Sequence, residues 1–259
     1  MTDLFYGPCS RFAVRSTNFP AEADLLKRVT VRLIDPNERE EFDRRLEADH
    51  YLGKCALYGP SLRYVAELDG QYVALIAFGV AALHLKARDS WIGWSPRQRA
   101  RRLGLVANNS RFLVLPEREK LPNLASRVLG LVLRRLSDDW LKLHGKPILV
   151  VETFVDETLY RGTCYKACGF VAIGATAGFA RSSRDFYTEH GKPKQLFVRE
   201  LHPRGCALLR QARLPEPLAD YETTVAGHER QVRVELAALR VLGLASSSGH
   251  GAGSRWRLW

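Results

Sequence analysis

Leu113-Val-Leu-Pro116, Lys120-Leu-Pro-Asn123-Leu-Ala125, Pro147-Ile-Leu-Val-Val-Glu152-Thr-Phe154 and Tyr165-Lys-Ala-Cys-Gly169-Phe170 follow one another along the middle of the chain. In that order they read as strand, tight loop, helix, strand and helix. Leu124, Val128, Leu131 or Val132, Leu136 and Trp140 recur at helical spacing, and Gly145 is a natural stop. Glu152 stands in an otherwise apolar strand, where an unpaired carboxylate is costly to bury. It must therefore face a cleft, find a partner or act as a base, and the expectation is that it faces a cleft.

Working outward, Val29 to Ile34 has β-branched alternation and reads as a strand. Asp35 is a helix cap with Glu38 three residues on, and Phe42 and Leu46 carry an amphipathic helix to about Ala48. Leu62–Leu68 and Tyr72–Phe78 flank Asp69-Gly70, a strong hairpin signal, and the second of these strands is apolar enough to be central. Ser95-Pro96 starts a short helix, and Arg111 to Leu115 is another strand. The domain expectation is an N-terminal arm over 1–28, a core over 29–201, a helical extension over 202–245 and a flexible Gly/Ser tail over 246–259.

A chain of 259 residues, 46% hydrophobic, buries one good core. No apolar run is long enough for a membrane span and no leader pattern precedes the core, so a cytoplasmic protein without a membrane partner is expected. Cysteines at 9, 55, 164, 168 and 206 are read as reduced thiols, and no metal site is expected from their spacing. Lys and Arg outnumber Asp and Glu by 39 to 28, a formal charge of +11. Arg97, Arg99, Arg101 and Arg102 are concentrated in one segment, and Arg181, Arg184, Lys192 and Lys194 form a second group. Either group suits a phosphate backbone or the phosphates of a nucleotide cofactor.

The order of elements from Leu113 to Phe170 resembles the acyl-CoA-binding half of the GNAT acetyltransferases. In that superfamily a strand ending V-x-P enters a loop of pattern Q/R-x-x-G-x-G/A at a helix N-terminus. The resemblance implies a mixed α/β (α+β) fold with a splayed sheet and flanking helices, and acetyl-CoA or another acyl-CoA held by Lys120, Asn123, Leu124, Ala125 and Ser126. Asn123 tolerates left-handed geometry and Ala125 is small, whereas Pro122 removes a donor and the two loop glycines are missing. Tyr165, four residues before Gly169, stands where the superfamily often places a general acid.

A second resemblance covers more of the chain. His50-Tyr-Leu-Gly53, Arg88-Asp-Ser-Trp-Ile-Gly-Trp94, Asn109-Ser-Arg-Phe112, Asn123-Leu-Ala-Ser126, Glu152-Thr-Phe-Val-Asp156 and Gly162-Thr-Cys-Tyr165 together resemble the DruA-like family, named for the Druantia anti-phage system and found beside transposase genes. Cys168-Gly-Phe170 departs from that family's usual aromatic-ended motif. The resemblance implies defence-system or transposition proteins as partners, and places His50, Arg88, Asp89, Trp94, Asn109 and Arg111 among substrate- or nucleic-acid-binding residues. Two functions follow. One is a GNAT-like acyltransferase with Glu152 and Tyr165 as catalytic groups sharing a pocket with Arg111. The other is a non-catalytic, basic nucleic-acid-binding component that uses Arg97, Arg99, Arg101 and Arg102.

Overall fold

Asp69 and Gly70 both take positive φ, 54° and 76°, as a two-residue hairpin turn between right-twisted strands requires. The turn joins β2 (Leu62–Leu68) to β3 (Gln71–Val80). A computed structural model describes residues 19–54, 57, 59–116, 121–176, 179–181, 187–189, 193–223, 240, 245–248 and 255–258. Before the hairpin come α1 (Phe19–Arg28), β1 (Thr30–Leu33) and α2 (Arg39–Asp49). After it come α3 (Lys86–Ile92), α4 (Pro96–Arg102), β4 (Val106–Val114), α5 (Leu124–His144), β5 (Val150–Val155), α6 (Thr163–Ala167) and β6 (Val171–Ala175). A small ribbon, β7 (Phe179–Arg181) with β8 (Tyr187–Glu189), precedes β9 (Gln195–Glu200) and α7 (Gly205–Leu209).

The main sheet runs β1-β2-β3-β4-β5-β9-β6. Every neighbouring pair is antiparallel except β4 and β5, which are parallel and therefore need a long crossover. That crossover is α5. Its apolar stripe, including Leu129, Val132, Leu136 and Trp140, packs on Tyr64, Ile76, Phe78 and Val151 of one sheet face. On the other face Phe42 and Leu46 of α2 meet Val65, Leu75 and Ala77. Alternate residues of β3 thus enter different cores, which is why that strand is buried on both sides.

The splay expected of a GNAT-like sheet is present. β4 and β5 pair only from Val106↔Val150 to Asn109↔Thr153, and beyond that β4 continues beside β3 while β5 continues beside β9. At the divergence point β3 pairs Ala77 with Arg111 and Phe78 with Asn109, leaving Ser110 as the extra residue of a β-bulge. The bulge bends β4 as it parts from β5.

Local signals hold where the chemistry is local. The Glu38 carboxylate accepts from the Asp35 amide at 2.7 Å, Ser95 and Gln98 form a reciprocal capping box, and Gly145 ends α5 at φ 69°. Other boundaries need correction. Part of the expected arm is α1, whose Leu25 and Leu26 pack against the cluster of Ala66, Val73 and Val128, and whose Arg28 pairs with Asp69. β4 begins at Val106, five residues before the expected start. In the expected helical extension over 202–245 the described structure before β10 is α7 and a 3-10 turn at Leu218–Tyr221, while 224–239 and 241–244 lie outside the described residues. The tail is not featureless: β10 (Ala245–Ser248) and β11 (Arg255–Leu258) pair antiparallel, Ser247 opposite Trp256. A β-branched or aromatic residue is not needed on both sides of such a ladder, because its backbone bonds are made by any residue but proline.

Candidate functional site

At the divergence of β4 and β5, the side chain of Asn109 braces the bulge between β3 and β4. Asn109 Nδ2 donates to the carbonyls of Ala77 and Arg111, 3.0 Å each, the pair next to the bulge. Its Oδ1 accepts from the Tyr165 phenol at 2.6 Å, and Thr153 Oγ1 donates to its backbone carbonyl at 3.0 Å. Tyr165 is buried, its ring set against Phe112, Phe170 and Phe197 at 6.4, 5.3 and 6.2 Å. Burial pushes its phenol above the ordinary range. Gly162 starts α6 at φ 64°, and a Cβ there would lie 2.8 Å from the Phe197 ring. Small size at Gly162 is what lets the start of α6 lie against the Phe197 ring.

Glu152 does not face a cleft. It is fully buried, accepts from Arg88 Nη1 at 2.9 Å and from the Ala82 amide at 2.7 Å, and so has found the partner its environment demands. Arg88 also donates to the Ala82 carbonyl at 2.6 Å and to Asp89 Oδ1 at 2.9 Å. Asp89 in turn accepts from Trp94 Nε1 at 2.9 Å and from Arg99 at 2.8 Å. Burial works against the Arg88 charge, but Glu152 and Asp89 outweigh it and its pKa is raised. Burial also pushes the Glu152 carboxyl up, opposed by Arg88. Arg88, Asp89 and Trp94 therefore tie α3 to β5 rather than line an open site.

The arginine helix is likewise spent largely inside the protein. Arg102 is buried, donating to Glu222 at 2.6 Å and to the carbonyls of Leu209 and Gln211 at 2.8 and 2.6 Å. Arg101 pairs with Glu222 and Arg99 with Asp89, whereas Arg97 is exposed. A solvated four-arginine face is not formed, because helical rotation turns Arg102 towards α7.

Two other places are open. The first is the mouth of the splay. Arg111, the first residue past the bulge, donates to the carbonyls of Gly53 and Ser110 at 3.0 and 2.8 Å and so fixes the loop after α2. That loop presents His50 and Tyr51, their rings stacked at 4.9 Å; Tyr51 meets Tyr160 at 5.6 Å and lies under Lys194 Nζ at 5.6 Å. Asp156, just past β5, accepts from Thr158 Oγ1 at 2.5 Å. Burial, then Arg111 and Lys194, press the His50 pKa down to about 4. The Leu52 amide donates to His50 Nδ1 at 3.1 Å, which leaves the ring proton on Nε2. Arg111 thus lies far from the Glu152 network in its contacts, and the expected common pocket of Glu152, Tyr165 and Arg111 is not formed. The sequence reading passed over Tyr51 and Tyr160; the former stands inside the His50–Gly53 motif, while nothing local marks the latter.

The second place is a cavity of about 310 Å³ where the end of β4, the first turn of α5 and α6 meet. Asn123, Leu124, Ala125 and Ser126 line it with Val114, Thr163 and Cys164. Asn123 adopts φ 58°, the left-handed geometry anticipated for it, and Ser126 Oγ donates to its carbonyl at 2.9 Å. The first amides of a helix have no intrahelical carbonyl and carry the positive end of the dipole, so this turn suits an anionic group. No lining side chain is cationic, and Glu22 of α1 accepts from Asn123 Nδ2 at 3.0 Å at the rim. Lys120, the cation expected beside this turn, lies outside the described residues. Burial raises the Cys164 thiol to about 11, so it lines the wall as an inert group. Among the described residues no three His, Cys, Asp or Glu side chains converge as metal ligands, and no helix is long and apolar enough to cross a membrane.

Residues 20–201 match the family model described as Druantia protein DruA. The chain belongs to the DruA family. A Druantia protein DruA from Escherichia coli (strain UMEA 4076-1) is 29% identical over 130 residues, 49% of this chain and 29% of that protein. The aligned part thus spans less than a third of the curated relative. Among solved structures, an acetyltransferase of the GNAT family from Streptococcus pneumoniae aligns over 66% of this chain and 99% of its own, with 12% identity and a TM-score of 0.41. The aminoglycoside acetyltransferase AAC(6')-Ib, in complex with coenzyme A, covers 71% and 99% at 15% identity and a TM-score of 0.43. yncA from Salmonella typhimurium, with its cofactor acetyl-CoA, covers 68% and 95% at 11% identity and a TM-score of 0.43. The mixed seven-stranded sheet with flanking helices is this DruA-family chain's own.

Proposed function

We propose that this DruA-family chain serves in an anti-phage defence or mobile-element setting as an acyltransferase that takes an acyl-CoA. The observation that carries the reading is the cavity at the start of α5, opening beside the divergence of β4 and β5. The first-turn amides of α5 bind the pyrophosphate, and the small Ala125 lets the backbone approach it. A bound thioester supplies the activated acyl group. Asn109 and Tyr165 are positioning residues that hold the bulge and keep the strands apart. Glu152 and Arg88 hold β5 against α3, and an acceptor approaches at the mouth beside His50 and Arg111.

The test is ligand-dependent stability. Acetyl-CoA at about 100 times its Kd stabilises a one-site protein by about 2.7 kcal/mol, a rise of several degrees in Tm for a chain of this size. Ala125→Glu places a carboxylate where the phosphates bind and is expected to abolish the rise with little change in the unliganded Tm. No rise with acetyl-CoA or coenzyme A in the unmodified protein refutes the acyl-CoA reading. The second reading is a non-catalytic nucleic-acid-binding component of a defence or transposition complex. It is favoured by the formal charge of +11. Salt-sensitive nucleic-acid binding with no thioester stabilisation supports it.

A further inference from the structure

We propose that the mouth of the splay binds single-stranded nucleic acid, with a base stacked on Tyr160 and its phosphate drawn to Lys194 and Arg111. The proposal rests on the mouth's own side chains and does not depend on a thioester at α5.

Tyr51 and Tyr160 are 39% and 53% exposed, and their neighbours Leu52 and Leu159 are 41% and 55% exposed. Large apolar side chains so exposed, in two segments joined by a ring contact, make a patch rather than isolated surface residues. Tyr51 is already engaged, stacked on His50 and lying under Lys194, and it meets Tyr160 at an interplanar angle of 55°. Tyr160, 53% exposed, keeps much of its ring open beside that contact. Its place is fixed by the Tyr160 amide, which donates to the Asp156 carbonyl at 2.8 Å. An aromatic face held on a rigid turn stacks any base and costs little ordering entropy.

The charge beside it has the sign a phosphate needs. Arg111 spends its hydrogen bonds on the neutral carbonyls of Gly53, Ser110, Leu52 and Lys54, which position its charge without cancelling it. Arg111 and Lys194 both act on His50, against the carboxylate of Asp156, which acts on Lys194 and Tyr51. His50 is neutral at physiological pH, so it adds ring surface rather than a third charge. A duplex hides its base faces in the stack, and a protein partner would gain little from two cations beside an aromatic ring. An unstacked strand uses both features.

The test is fluorescence anisotropy with a labelled oligothymidylate of about twelve nucleotides, repeated over a range of salt and with AMP or a duplex as competitor. Tyr160→Leu keeps apolar area and removes the π face, and is expected to weaken binding about tenfold or more, while Tyr160→Phe stays within about twofold. Lys194→Gln is expected to lower the salt slope by about 0.7. Tyr160 is exposed and Lys194 half-buried, and unchanged Tm values confirm that the variants are folded. The proposal is overturned by absence of oligonucleotide binding, by Tyr160→Leu binding as well as the unmodified protein, by preference for duplex, or by AMP binding without strand binding. None of these outcomes alters the thioester-dependent rise in Tm, so the two readings fail separately.

Discussion

The phenol of Tyr165 donates to Asn109 Oδ1 at 2.6 Å while the same amide's nitrogen holds the carbonyls of Ala77 and Arg111, the strand pair that adjoins the Ser110 bulge. One residue on a short helix thus sets the shape of a strand 56 positions away in sequence. Tyr165→Phe keeps the ring and leaves the buried Asn109 oxygen without that donor, a loss of about 1–3 kcal/mol. Urea denaturation is the measurement. A phenol used only for proton transfer would show an unchanged midpoint and a lost activity instead.

Glu152 and Arg88 are both fully buried and meet at 2.9 Å. Removing one partner strands the other charge, so Glu152→Ala and Arg88→Ala are each expected to cost about 3–5 kcal/mol. The double variant is expected to cost much less than the sum, because no buried charge is then left alone. Additive losses in a double-mutant cycle would contradict the assignment of this pair as a structural tie.

Arg97 and Arg102, five positions apart, make opposite predictions. Arg102→Ala leaves the carbonyls of Leu209 and Gln211 without their donor and the largely buried Glu222 with Arg101 alone, and is expected to lower stability by about 1–3 kcal/mol. Arg97→Ala is expected to change stability by less than about 0.5 kcal/mol, since Arg97 is exposed. Thermal melts of the two variants at equal salt separate a surface stripe from a stapled helix.

What the sequence made legible follows the range of the chemistry. The Asp69-Gly70 turn, the Ser95 cap and the run from Leu124 to Gly145 depend on residues within a turn or two, and all appear as read. Asn123 was legible for the same reason, since left-handed geometry is a property of the residue itself. Glu152 showed that a carboxylate needed a partner, but Arg88 lies 64 positions earlier, and no local spacing names it. The arginine cluster misled because proximity in sequence says nothing about which helix face is covered, and Glu222 covers Arg102 from 120 residues away. Tyr160 was invisible because it lies outside the motifs and matters only beside Tyr51 and Lys194.

His50 gives the mouth a pH signature. In the unfolded chain its imidazole titrates near the ordinary 6.5, whereas burial and then Arg111 and Lys194 hold it at about 4 in the folded protein. Between those values the unfolded state binds the extra proton, so this group leaves stability untouched above 6.5 and withdraws it as pH falls towards 4. Carboxylates elsewhere titrate in the same window, so the informative quantity is a difference between proteins. His50→Gln removes the proton site while keeping a planar polar side chain against Tyr51. Urea midpoints taken at about pH 7.5 and about pH 5 are expected to fall less on acidification in the variant than in the unmodified protein. An equal fall in both would mean that His50 is solvated and free to charge, and that Arg111 and Lys194 do not share its surroundings.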